Sequence, residues 1–149
     1  MTKYVLISAS FSGNISCIYD SKGQLFEFLI NSWDVPSDIH PKILGNFSWF
    51  ATDSGIREFA NRYKYVLKKE TIDLSWNRFY EMYGIKRDGH KAEPKWNRMS
   101  EKDKYLTLLN LKAYKRFCKR NPLYSQMYPA AYLNGHTRDD WDKVPDFKK

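Results

Sequence analysis

Apolar residues recur along this chain with two different periods. In the first thirty residues, Tyr4 to Ser10, Ile15 to Asp20 and Gln24 to Ile30 are short runs rich in β-branched and aromatic side chains. Ser12-Gly13-Asn14 and Ser21-Lys22-Gly23 separate them, and glycine and asparagine supply the positive φ that tight turns require, so the spacing predicts an antiparallel three-stranded meander with one buried face. The period then lengthens. Ser37 and Asp38 can cap a helix carrying Ile39, Ile43 and Leu44, with Pro41 tolerated only in its first turn and Gly45-Asn46 as its stop. Thr52, Asp53 and Ser54 are caps for a second helix whose Ile56, Phe59, Ala60 and Tyr63 make an apolar stripe to lay on the sheet. Tyr65-Val66-Leu67 reads either as a fourth strand or as the tail of that helix, and Lys68-Lys69-Glu70 is the best candidate for a link. Residues 1–70 are thus read as one α+β unit and 71–149 as a second, helical one.

In the second part, Asp73 or Ser75 can cap a helix with Trp76, Phe79, Tyr80 and Tyr83 at i, i+3, i+4 and i+7, and Gly84 can stop it. A stripe of that kind is ordinarily core, together with Trp96 and Tyr132; an exposed base-stacking surface is its other reading. Ser100-Glu101-Lys102-Asp103 has the spacing of a capping box and opens a helix running to about Arg120, with Asn121-Pro122 as its end. Leu106, Leu109, Ala113 and Phe117, joined by Tyr105 and Leu108, are its expected buried stripe. Lys112, Lys115, Arg116 and Lys119 recur at i, i+3, i+4 and i+7 on the other side, with Arg120 beside them. Such a face suits phosphates, although cations also collect in last turns because they favour the helix C-terminal dipole and solvent. The fold class expected is α+β: a three-stranded antiparallel meander with two helices, then a basic helical part.

Charge sharpens the picture. Residues 1–60 hold four basic side chains against six acidic, residues 61–120 hold 17 against 7, and residues 121–149 hold four of each, so the formal net charge of +8 arises entirely in the middle. A segment of that kind attracts polyanions and makes nucleic acid, or a protein complex that handles it, the first partner to consider. With 149 residues, 42% of them hydrophobic and 25 aromatic, the chain can bury an ordinary core. Cys17 and Cys118 are too far apart for a metal-ligand motif and too few for a disulfide framework, which points to a reduced, cytoplasmic protein. No apolar run approaches the roughly 18 residues of a membrane span, and the short run after Lys3 reads as a first strand rather than a signal peptide.

Three blocks carry a resemblance: Trp76-x-x-Phe79-Tyr80-x-x-Tyr83-Gly84-x-Lys86, Lys91-Ala92-x-x-x-Trp96-x-x-Met99-Ser100, and Tyr128-Pro129-Ala130-Ala131-Tyr132-Leu133-Asn134 with Trp141 behind it. This stretch resembles the C-terminal module of phage and prophage replication proteins of the replisome-organiser and helicase-loader type. The N-terminal half resembles small prophage proteins of Bacteroidetes-like bacteria. The resemblance implies an accessory role in DNA replication inside a bacterial host cell. Pro94 departs from the pattern, because it falls within the Ala92-x-x-x-Trp96 helix, where proline lacks the required donor. Either that helix starts late, near Lys91 to Glu93, or it is kinked; a late start would gather Lys86, Arg87, His90 and Lys91 in a loop ahead of a helix N-terminus, favourable for a phosphate.

The sequence lacks a P-loop, a dinucleotide fingerprint, a Gly-x-Ser-x-Gly elbow and a His-Glu-x-x-His motif, which excludes an ATPase-type loader. His136-x-x-Asp139-Asp140-Trp141-Asp142 has the residue types of a divalent-metal site, or of a solvated acidic turn in the loop marked by Gly135 and Thr137. The expectation is a non-enzymatic protein with no cofactor or metal, binding DNA, RNA or a nucleoprotein through Lys86, Arg87, Lys91, Lys112, Lys115, Arg116, Lys119 and Arg120. An anti-CRISPR-like inhibitor of an RNA-guided defence nuclease fits the same composition, and a nuclease is the third class.

Overall fold

The computed structural model describes residues 1–8, 13–31 and 39–145, and for residues 39, 40 and 42 the backbone only. The expected caps Ser37 and Asp38, and the end of the first apolar run at Ser10, lie outside the described residues. The chain divides into two compact units after Ile72.

The first unit is built on a sheet of order β3-β2-β1-β4 with every pairing antiparallel: β1 (Thr2–Ile7), β2 (Asn14–Tyr19), β3 (Leu25–Asn31) and β4 (Val66–Thr71). The β2–β3 turn is closed by Asp20, whose carboxylate accepts the backbone N–H of Lys22 at 2.8 Å and of Gln24 at 2.9 Å, while Gly23 adopts φ +73°. Alternation sends Tyr4, Leu6, Ile15, Cys17 and Tyr19 into one core. Three elements supply the rest of that core: α1 (Ile39–Gly45) through Ile43, a 3-10 turn (Phe47–Phe50) through Phe50, and α2 (Asp53–Arg62) through Ile56, Phe59 and Ala60. Thr52 caps α2, its hydroxyl accepting the Gly55 N–H at 3.2 Å. Tyr63, expected in the buried stripe, is instead the C-cap of α2 and 45% exposed.

The segment left open after α2 is a fourth strand. Lys64 takes φ +57° and turns the chain so that Val66 to Thr71 pairs along the whole of β1, Lys3 opposite Glu70 with their side chains 3.1 Å apart. Lys68-Lys69-Glu70 therefore lies inside the sheet and is no link. Pairing satisfies the backbone groups of β1, and a lysine-rich sequence is what an outermost strand tolerates.

The second unit holds α3 (Trp76–Tyr83), α4 (Gly89–Arg98), α5 (Glu101–Arg120) and α6 (Pro129–Gly135). Ser75 caps α3 by accepting the Arg78 N–H at 3.1 Å, and Gly84 ends it at φ +89°. Ser100 caps α5, accepting the Asp103 N–H at 3.1 Å and donating its own proton to the Asp103 carboxylate at 2.7 Å. Phe79, Tyr83, Trp96, Leu108, Leu111, Tyr114, Phe117, Tyr132 and Trp141 share one core, and rings stack through it, with Phe79 on Trp96 at 4.6 Å and Tyr114 on Tyr132 at 4.9 Å. Trp76 and Tyr80 are only half-buried and stack on each other at 4.8 Å.

Two expectations need correction here. Tyr105, Leu108, Ala113 and Phe117 of the expected α5 stripe are buried, but Leu111 and Tyr114 are fully buried in place of Leu106, which is half-buried, and Leu109, which is 40% exposed. Tyr114 meets Tyr83, Tyr132 and Trp141, so aromatic partners on other elements decide between two comparable apolar stripes. Of the two readings left open for α4, a late start or a kink, the late start does not hold: the helix begins at Gly89 and carries Pro94 in its interior, on its exposed side. Gly89 has a steric reason: a Cβ there would lie 2.8 Å from the Tyr80 hydroxyl oxygen.

Candidate nucleic-acid interface

The cationic face of α5 follows directly from helical spacing, and Lys112, Lys115, Arg116 and Lys119 are all exposed on it. They are not equivalent. Lys115 Nζ donates to the Met82 carbonyl at 2.9 Å, placing an ammonium on an orphan carbonyl at the end of α3. Arg116 Nη2 donates to both oxygens of the Asp142 carboxylate, at 3.0 and 2.7 Å. Lys112 and Lys119 flank these anchored neighbours, about 10 Å apart along the helix axis at 1.5 Å per residue. Among the described residues neither has an acidic partner. Arg120 is exposed in the last turn of α5.

The loop between α3 and α4 carries the second group. Lys86 Nζ lies 4.2 Å from the centroid of Tyr80, a ring already stacked by Trp76, and the Arg87 guanidinium lies 5.1 Å from the centroid of Tyr128. Residues 126–128 are held beside this loop: Tyr83 Oη donates to the Met127 carbonyl at 2.7 Å, and Gln126 Nε2 to the Tyr83 carbonyl at 3.1 Å. The end of α3 thus brings Lys86, Arg87, Lys115 and Tyr128 to one place. It does not form the phosphate loop expected of a late-starting helix. His90 and Lys91 sit in the first turn of α4, Lys91 Nζ is 3.3 Å from the Asp88 carboxylate, and Asp88 itself, at φ +54°, occupies the N-cap. A carboxylate at that position opposes an anion. Local sequence gives no sign of the Arg87–Tyr128 contact, because the two residues are remote along the chain.

The acidic turn after α6 is held by hydrogen bonds and ion pairs. His136 Nδ1 is 2.7 Å from Asp139 Oδ2, Asp140 pairs with Lys143 at 2.7 Å, and Asp142 holds Arg116. The Trp141 indole N–H donates to the His136 carbonyl at 3.1 Å, and Asn110 Nδ2 to the Thr137 carbonyl at 2.8 Å, fixing the turn against α5. Asp103 pairs with Arg138, and its carboxyl is held below the usual carboxylate range by the Ser100 hydroxyl first and by Arg138 second. Among the described residues no three His, Cys, Asp or Glu side chains are grouped to hold a metal ion. Cys17 and Cys118 are both free thiols; burial pushes Cys17 up to about 12 and raises Cys118 as well, which keeps both protonated at neutral pH. No helix among the described residues is long and apolar enough to cross a membrane.

No curated protein and no solved structure matches the chain. Residues 71–136, which contain α3 to α6, match the family model described as the Legionella vir region protein LvrA C-terminal domain, so the helical unit of this chain is similar to that domain.

Proposed function

We propose that this chain is a non-enzymatic accessory protein that binds nucleic acid, alone or in a nucleoprotein, through its helical unit. The observation that carries the reading is the α5 ridge, where Lys112 and Lys119 stand exposed without a carboxylate among the described residues while Asp142 is taken by Arg116. Cations without internal partners gain most from a phosphate backbone, because binding releases its condensed counterions. Lys86, Arg87 and Lys115 extend the same positive surface to the end of α3. Binding rather than cleavage is supported by the 136–142 turn, where Asp140 and Asp142 pair with Lys143 and Arg116 and Asp139 lies against the His136 ring. A role in phage or prophage DNA replication in the bacterial cytoplasm rests on the Trp76 to Trp141 resemblance.

The test is fluorescence anisotropy of the full chain on labelled DNA at rising salt. Neutralising about four phosphates predicts a log-log slope near roughly −3 to −4, and the double reversal Lys112→Glu with Lys119→Glu reduces that slope by about two and weakens binding at least about tenfold. Both side chains are exposed, so melting should not move. A flat salt dependence, or a double variant that binds normally, sinks the proposal. A partner captured from host lysate that survives nuclease treatment identifies a protein target instead.

A further inference from the structure

We infer that Tyr128, with Arg87 over its ring, is a stacking platform for an unpaired base, so that the helical unit prefers single-stranded nucleic acid to duplex; this rests on the nucleic-acid-binding reading above. The ring is both presented and held. Tyr128 is 42% exposed, and its backbone is fixed on either side: the Met127 N–H donates to Tyr114 Oη at 2.7 Å, the Met127 carbonyl accepts from Tyr83 Oη at 2.7 Å, and Pro129, buried, opens α6. A ring held by a restrained backbone loses little freedom when a ligand packs on it.

The surroundings supply what a single strand needs. The Arg87 guanidinium, 5.1 Å from the ring centroid, is planar, permanently charged and able to stack while its donors reach a phosphate. Lys86 shares the α3–α4 loop with Arg87, and from α5 the Lys115 ammonium reaches the Met82 carbonyl at the end of α3. The neighbouring aromatic pair is less available: Tyr80 carries Trp76 at 4.8 Å and Lys86 at 4.2 Å, and two face contacts use both sides of a ring. Bases of a duplex are already stacked and paired, so an aromatic ring adds affinity only where a base is free, with little regard to its identity. DNA and RNA single strands share this chemistry.

The experiment measures anisotropy of the full chain, at about 50 mM salt, on labelled oligo-dT, oligo-rU and a duplex, each about 15 nucleotides long, a length within the site sizes of single-strand binders. The expected result is tighter binding of at least one single strand than of the duplex. Tyr128→Ala should remove that preference, lowering single-strand affinity on the order of five- to 150-fold, the range for one lost stacked base, with duplex affinity unchanged. Tyr128→Phe should keep wild-type affinity, because stacking needs the ring and not the hydroxyl. Arg87→Lys, which keeps the charge and gives up the plane, should weaken single-strand binding at an unchanged salt slope, and it serves as the second variant should Tyr128→Ala fail to fold. Equal affinity for single and double strands, or a Tyr128→Ala variant that loses nothing or loses equally on both, overturns the inference and leaves the proposed function standing. Absence of binding to every probe overturns both.

Discussion

At the scale of single residues, charge on this protein divides into groups that hold the fold and groups that do not. Lys115 and Arg116 belong to the first kind, which is why reversing the whole basic face would confuse unfolding with lost binding, whereas Lys112 and Lys119 can be reversed cleanly. Asp103 also belongs to the first kind. Its carboxyl pKa is depressed in the folded protein by the Ser100 hydroxyl and by Arg138, so its contribution is present above the unfolded value of about 3.9 and is lost as pH falls through the folded value. Asp103→Asn should therefore be less stable than the parent at pH 7, by less than about 1 kcal/mol for a partly exposed pair. The gap should close as pH drops below about 4. Urea unfolding at pH 7 and pH 3 checks this, and a gap that persists in acid would show that the carboxylate charge is not its source.

At the scale of elements, helix starts are governed by a few adjacent atoms, and Thr52, Ser75 and Ser100 cap as their local sequence implies. Pro94 is the exception. As an interior residue of α4 it cannot donate to the His90 carbonyl, and its ring crowds the preceding turn, yet the helix runs through it because Ala92 and Trp96 on either side are fully buried. Pro94 itself is exposed, so Pro94→Ala forfeits no packing. The replacement should raise stability by about 1–3 kcal/mol and lift the melting temperature. A fall would mean that proline's restraint of the unfolded chain outweighs the restored hydrogen bond. A late start for α4, one of the two readings that Pro94 allowed, gives local propensity the last word over burial of Trp96.

At the scale of the molecule, the two units have separate cores with no residue in common. Trp96 is the largest fully buried side chain of the helical one; it stacks on Phe79, and its indole N–H donates to the Leu74 carbonyl at 3.1 Å. Trp96→Ala removes burial, leaves a cavity and strands that carbonyl, a cost of about 3–5 kcal/mol. Hydrogen exchange should then accelerate across residues 73–145 while the amides of β1 to β4 keep their protection. Equal acceleration in both units would show that they open together.

The sequence by itself determined the elements that depend on near neighbours. Short β-branched and aromatic runs between turn residues marked the meander, cap candidates narrowed where α2, α3 and α5 begin to a few residues, and spacing placed Lys112, Lys115, Arg116 and Lys119 on one exposed face. Only the tertiary structure decided that residues 66–71 pair with β1, since a lysine-rich run tolerates a sheet edge as readily as a loop. Only it chose Leu111 and Tyr114 over Leu106 and Leu109 as the buried stripe of α5, because the choice lies with rings on α3, α6 and the following turn. The same holds for the site. Which cations stay free depends on where Met82 and Asp142 come to rest, and Tyr128 acquires its guanidinium from a loop remote in sequence. Hydrogen bonds within a turn act over a few residues and leave a local signature, whereas ion pairs, ring stacks and cation–π contacts join residues that only the packed chain brings together.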